Sequence, residues 1–306
     1  MVDVRQPEAG GAESTVSVVV TSPNPGTSLI DSLDALRSAS DGGLEAIVVT
    51  RGLSENAAGI SRAFPGARII VADAEATIPE MRAAGLRAAQ GAIVAMTTDH
   101  CIPGAGWLQA VRTAHRRGSA VVGGPLLFEG TGLVDWAVFV CEYGRYLPPA
   151  RAGRTHDLPG QNVSYTRAAL TAIDDLLSRG LWEPFWHQRL IERGFAMTCD
   201  PAVVVTLRKH YSFGGFVRER FHFARSFASQ RVADRAWPIR VALAAATPLL
   251  PVILLFRMLR QILPKRRYVS VLIRTLPMLA VFVTVWAAGE CAGYASGGGT
   301  SARRIV

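Results

Sequence analysis

The sequence predicts an α/β protein: a mostly parallel sheet covered by helices on both faces, then C-terminal hydrophobic membrane helices. Three observations carry this. Short β-branched runs alternate with stretches of helical spacing along the N-terminal third of the chain. Those runs are apolar throughout rather than alternating, which is the pattern of parallel strands buried on both faces. Two long apolar stretches follow beyond residue 238, each near the ~20 residues that cross a bilayer.

The elements follow in order. Residues 1–14 are rich in Gly, Ala and Glu and read as a flexible arm. Ser17–Thr21 (SVVVT) is the first strand. Leu29–Ala39 places Leu29, Leu33 and Leu36 at helical spacing. Ala46–Thr50 (AIVVT) and Arg68–Ala72 (RIIVA) are the second and third strands. Pro79–Gln90 is a helix opening on proline, a favoured first-turn residue. Ala92–Met96 (AIVAM) is the fourth strand. Such sheets bind ligands beyond the carboxyl ends of their strands, so the chemistry is expected there.

Composition narrows the classes. With 306 residues, 49% hydrophobic and 19% charged, the chain is not globally disordered. Its four cysteines form no Cys-x-x-Cys pair, which excludes a zinc ribbon or disulfide framework and suits a reducing compartment. The first 15 residues lack an apolar core, so a cleaved secretory signal is not expected. The net charge of +9 is unevenly placed: residues 201–306 carry 16 basic and three acidic side chains. These arginines flank the apolar runs 239–256 and 269–288, so anionic lipid is the expected partner and nucleic acid is not. The expected organisation is an arm (1–14), an α/β domain (15–207), a basic interfacial region (208–238), two membrane segments (239–290) and a tail (291–306). Pro248 and Pro251 interrupt the first segment, and Arg274 and Pro277 the second. Arginines flank the first segment on both sides, so a simple crossing conflicts with the positive-inside rule. That segment is expected to be re-entrant or interfacial, and the second to cross or do likewise.

The fourth strand runs into Thr97-Thr98-Asp99-His100, followed by Pro103 and Gly106-Trp107. An Asp-His step at a buried strand end offers a hard oxygen and an imidazole to a divalent metal holding a diphosphate. The alternative is a turn-capping aspartate beside an incidental surface histidine. Further on, Glu183 lies among Trp182, Phe185 and Trp186. It reads as a general base or as a helix-capping acid. Trp182 and Trp186 could stack on a ligand or fill core, and His187 could pair with Glu183.

The order SVVVTSPNP, AIVVTRG, IPEMRAAGLRAAQGAIVAMTTDHCIPGAGWL resembles the family 2 glycosyltransferases of GT-A fold. Leu158–Arg167 (LPGQNVSYTR) resembles their acceptor-side segment, Trp182–Trp186 their Glu-Asp region, and Gly289–Gly299 the tail of membrane-attached members. The resemblance spans roughly residues 15–299. It implies a Rossmann-like sheet and a hexosyltransferase that moves sugar, with inversion, from a nucleotide-diphosphate donor to a lipid-linked or glycan acceptor. The reaction would run at the cytoplasmic face of the inner or plasma membrane, one transfer at a time. Donor contacts carried over are Thr21, Thr50, Arg82, Thr98, Gln161 and Asn162. Metal ligands would be Asp99, His100 and His210, holding Mn2+ or Mg2+; if both histidines bind, imidazole favours Mn2+. Glu183 would be the base. The chain departs from the family at Arg51, Ala83, Thr98, His100 and Pro184, each replacing a carboxylate or amide. Those losses leave a second expectation open, a non-catalytic scaffold or partner subunit of another transferase. Arg218–Arg225 (RERFHFAR) interleaves arginines with aromatics and is expected to meet lipid phosphates or a pyrophosphate acceptor.

Overall fold

The computed structural model describes residues 15–40, 43–51, 60 and 62–305. The arm expected at 1–14 and Gly52 of the AIVVTRG turn lie outside them. The elements are β1 (Val16–Ser22), α1 (Thr27–Ala39), β2 (Leu44–Arg51), β3 (Arg68–Ala72), α2 (Ile78–Ala88), β4 (Ile93–Thr98), β5 (Cys101–Pro103), α3 (Trp107–Arg116), β6 (Val121–Gly123), β7 (Leu126–Phe128), α4 (Leu133–Tyr143) and β8 (Gly153–Arg154). They continue with β9 (Val163–Thr166), α5 (Arg167–Thr171), α6 (Asp174–Ser178), α7 (Glu183–Glu192), β10 (Met197–Cys199), β11 (Val205–Leu207), α8 (Phe213–Arg231), α9 (Trp237–Ala246), α10 (Leu250–Ile262) and α11 (Val269–Ser296).

The main sheet runs β3-β2-β1-β4-β9-β6-β10-β8, and β5-β11-β7 form a second, small sheet. β1, β2, β3 and β4 are parallel, whereas β9 is antiparallel to β4 and β6. All seven residues of β1 are buried. Val16, Val18 and Val20 join the core on one face, with α1 and α3; Val19 joins the core on the other, with Ile47, Val49 and α2. Period-2 alternation inside an all-apolar strand thus feeds two cores at once.

The chain builds outward from β1 to β3, then returns to lay β4 on the other side of β1. The crevice at that reversal is where open α/β sheets take ligands. In register, Thr21 stands beside Thr98 at the carboxyl ends of β1 and β4. Helix α2 presses close to the sheet because Gly85 has no side chain; a Cβ there would lie 2.3 Å from Val19 Cγ1. Thr77 and Glu80 cap its start reciprocally, and Pro79 sits in its first turn.

Two helices, 237–262 and 266–296, are long and apolar enough to cross a membrane. The first is broken by a 3-10 turn at Thr247–Leu249, which contains Pro248, and Pro251 sits in the first turn of the helix that follows. Most of it is exposed, Trp237 and Val252 each by 73%. α11 behaves differently. Leu272, Leu279, Phe282, Val283, Ala287 and Tyr294 form a buried stripe along its length, facing α4 and α8. Gly289 and Gly293 bring α11 against Ala224 and Ala228; a Cβ on either glycine would lie 2.7 Å from an alanine Cβ. This small-x-x-x-small contact lets two backbones approach closely. At the turn before α11, Lys265 Nζ bonds to the carbonyl of Arg145 at 2.8 Å, tying the hairpin to the end of α4.

Candidate active site

A cavity of about 220 Å³ opens beyond the carboxyl ends of β1 and β4. Thr21, Arg82, Thr98, Asp99, His100, Gln161 and Glu183 all line it. The Asp-His step and the tryptophan-flanked glutamate expected from the sequence therefore face one hollow.

Asp99 is buried, with its backbone N–H donating to Thr21 O at 3.3 Å. Ser22 Oγ donates to Asp99 Oδ2 at 2.7 Å, which leaves Oδ1 3.4 Å from His100 Nε2. Burial lowers the His100 pKa; Lys209 adds to that while Asp99 opposes it. The ring is therefore neutral at pH 7 and offers a lone pair. One carboxylate and one neutral imidazole, side by side on the cavity wall, are a fitting donor pair for Mn2+. No group of three or more His, Cys, Asp or Glu converges to hold a metal among the described residues. The rest of an ion's shell would come from diphosphate oxygens and water. Cys101, next in sequence, is wholly buried and its thiol is pushed up to about 11 by that burial. It packs and does not react.

The opposite wall carries a buried ion pair. Arg82 Nη1 donates to Glu183 Oε1, and both residues are buried. Arg82 comes from the face of α2 that Gly85 seats on the sheet; Glu183 opens α7, where Pro184 follows in the first turn. Gly160 lies over the carboxyl group: a Cβ there would sit 3.2 Å from Glu183 Cδ and 3.3 Å from Oε2. The Oγ1 of Thr21 and the Nε of Arg82 are buried without a hydrogen-bond partner among the described residues. Both belong to cavity-lining residues, but the two atoms themselves are closed off from solvent.

Three expected site residues are not brought to the cavity. His210 is 81% exposed in its side chain and pairs with Asp135 at 3.0 Å. Beyond β11 the chain is irregular; Leu207, Lys209 and Tyr211 line the cavity, whereas His210 is held outside it by Asp135. It therefore does not join Asp99 and His100 as a ligand. Asn162 is fully buried and spent on structure, accepting from Trp107 Nε1 at 2.8 Å and donating to Val203 O at 2.8 Å and Pro125 O at 3.2 Å. Thr50 is wholly buried at the end of β2, away from the cavity lining.

Other expectations resolve similarly. His187 bonds to Tyr165 OH at 3.0 Å, not to Glu183, and burial pushes it down to about 3. Trp186 is core, whereas Trp182 lines the cavity and meets Phe223 edge-on at 4.5 Å. Of the arginines of RERFHFAR, Arg220 is buried, Arg225 half-buried and Arg218 exposed. Arg220 pairs with Glu142 and lies 4.0 Å over the Trp286 ring. Arg225 Nε donates to Gly297 O at 2.8 Å.

Sequence reasoning misses the wall that α8 supplies. Phe216, Glu219, Arg220 and Phe223 all line the cavity. Their i, i+3, i+4, i+7 spacing marks one helix face, a signal that the flanking arginines obscure. Burial and neighbouring Glu142 push the Glu219 carboxyl up to about 7, against the pull of Lys209 and Arg220. A carboxylate raised in the folded state holds a proton there that the unfolded chain has released. Stability therefore falls as pH rises from about 4.5 to about 7, then levels. Glu219→Gln cannot acquire the charge and is expected to melt higher than the wild type at pH 8 but not at pH 4. Equal differences at both pH values would show that Glu219 does not titrate in this window.

No protein-family model and no curated protein matches the chain. Solved structures do. The mannosyltransferase PcManGT from Pyrobaculum calidifontis, in complex with GDP-Man and Mn2+, matches with a TM-score of 0.51 at 16% identity, over 88% of this chain and 86% of its own. A mycobacterial protein matches with a TM-score of 0.51 at 16% identity, over 72% and 74%. Glucosyl-3-phosphoglycerate synthase from Mycobacterium tuberculosis, in complex with Mg2+ and UDP, matches with a TM-score of 0.50 at 16% identity, over 72% and 79%. The chain shares the GT-A fold with these proteins.

Proposed function

We propose that the chain is an inverting glycosyltransferase that takes a hexosyl group from a nucleotide-diphosphate donor. The observation that carries this reading is the convergence of the Asp99-His100 step and the Arg82–Glu183 pair on one cavity at the sheet's reversal point. Asp99 and His100 would hold a divalent cation, Mn2+ in preference to Mg2+. Such an ion, when bound, neutralises charge on the departing diphosphate. Thr21 and Thr98 lie at the strand ends within reach of the donor, and Gln161, held by Tyr143 OH at 2.9 Å, presents its amide to a sugar or acceptor hydroxyl.

In the transfer, an acceptor oxygen forms a bond to the anomeric carbon as the bond to the diphosphate oxygen breaks. The acceptor's proton passes to Glu183. Arg82 fixes Oε1, so Oε2, beside Gly160, is the oxygen left to receive it. Trp182 and Phe223 exclude water from that side.

The acceptor is proposed to be lipid-linked and the site to be cytoplasmic, at the inner or plasma membrane. Support comes from the exposed apolar face of α9 and α10, with Trp237, Val252 and Phe256 outward and Arg257, Arg260, Arg266 and Arg267 exposed beside it. An apolar strip edged by guanidinium groups suits an anionic bilayer surface.

The deciding experiment is titration of the whole chain, in lipid nanodiscs, with UDP-, GDP- and dTDP-sugars plus Mn2+. Saturable binding of one donor class with slow hydrolysis is expected. No binding of any of them would leave a non-catalytic scaffold of the same fold.

A further inference from the structure

We propose that the segment Gly297–Ile305 forms one wall of the donor site and clamps the nucleoside. This rests on the glycosyltransferase reading above.

Beyond α11 the chain turns back. Gly297 and Gly299 have φ of +76° and +52°, a left-handed conformation that glycine adopts without strain. At Gly298 a Cβ would lie 2.6 Å from Ser229 Oγ, so the turn lies flush on α8. Arg225 donates to Gly297 O at 2.8 Å, and Ser301 Oγ lies 3.1 Å from His222 Nδ1. Both anchors belong to the helix that walls the cavity.

The strap then reaches the carboxyl ends of β2 and β3. Arg51, at the end of β2, donates Nε to Ala76 O at 2.8 Å and Nη2 to Ile305 O at 3.4 Å. Arg303 lies 3.7 Å from Glu75. The Ile305 side chain is buried and lines the same cavity as Thr21, Pro23 and Ile78.

Position gives this contact its meaning. Asp99 follows β4, whereas Arg51 ends β2, two strands away across β1. Two strand spacings are about 10 Å, comparable to the distance from a diphosphate to its base. A donor with its diphosphate at Asp99 and His100 therefore directs its base toward Pro23, Ile78 and Ile305. Three apolar side chains hold a flat ring by contact rather than by reading its edge. The cavity exists with Ile305 in place, so the strap borders the space rather than filling it.

The test uses the full chain in nanodiscs, with UDP and GDP, and separately inorganic pyrophosphate, each with Mn2+. Ile305→Asp is expected to weaken the preferred nucleotide about tenfold or more, with pyrophosphate affinity unchanged; its melting temperature without ligand is expected to fall because the side chain is buried, so the milder Ile305→Ala is the control for stability. Ile305→Ala is expected to weaken the nucleotide less, in the same direction. Unchanged nucleotide affinity, tighter binding, or equal losses for nucleotide and pyrophosphate would each overturn the clamp. Nucleotide binding equal in the wild type and both variants overturns the clamp alone. Failure of the wild type to bind any nucleotide overturns the transferase reading and the clamp together.

Discussion

Asp99→Asn is expected to slow sugar transfer by about 10³-fold or more while the protein keeps its fold. The reason lies in how its two oxygens are used. Oδ2 accepts from Ser22 Oγ at 2.7 Å, a contact that the asparagine carbonyl can still make. Oδ1 faces His100 and the cavity, and there the loss of negative charge removes the hard oxygen a cation needs. Asp99→Ala differs in kind: it also leaves the buried Ser22 hydroxyl without its acceptor, at about 1–3 kcal/mol. Comparing turnover, Mn2+ affinity and melting temperature across the two variants separates the roles. Wild-type turnover in Asp99→Asn would remove the cation from this corner.

The second large effect is at Glu183. Glu183→Gln keeps an oxygen for Arg82 but cannot take a proton, so turnover is expected to fall by about 10²–10⁴-fold with donor affinity little changed. Glu183→Ala should instead cost about 3–5 kcal/mol of stability, because the buried Arg82 guanidinium loses its counter-charge. Arg82→Met combined with Glu183→Leu is expected to recover much of that stability and none of the activity, since buried pairs often exchange for apolar ones at little cost. If Glu183→Gln turns over at the normal rate, proton removal belongs to another group in the cavity.

Much of this arrangement is legible in the sequence, for identifiable reasons. The first four strands announce themselves because strands buried on both faces must be continuously apolar, as β1 is. Asp99, His100 and Glu183 stand out because a polar step after such a strand, or a carboxylate among tryptophans, is costly to bury without a partner. Short elements hide what longer ones display. β5 and β11 have three residues each, too few to show a period. Lys209 and His210 lie in the irregular segment after β11, so no strand pattern marks the first as lining the cavity and the second as outside it. Asn162 looks like a ligand contact along the chain because its three structural partners lie 37 to 55 residues away. Arg220 of α8 looks solvated or lipid-facing for the same reason: Glu142 and Trp286, which hold it, come from distant parts of the chain.

The seating of Gly289 and Gly293 on Ala224 and Ala228 has a practical corollary for handling this protein. Amputating the greasy stretch beyond Ala236, to obtain a piece that dissolves without detergent, would strip α8 of the neighbour it leans on. It would also discard the strap that ends at Ile305. What remained would keep its eight-stranded sheet but lose one side of its pocket. Purification and crystallisation should therefore start from the intact polypeptide in amphiphile.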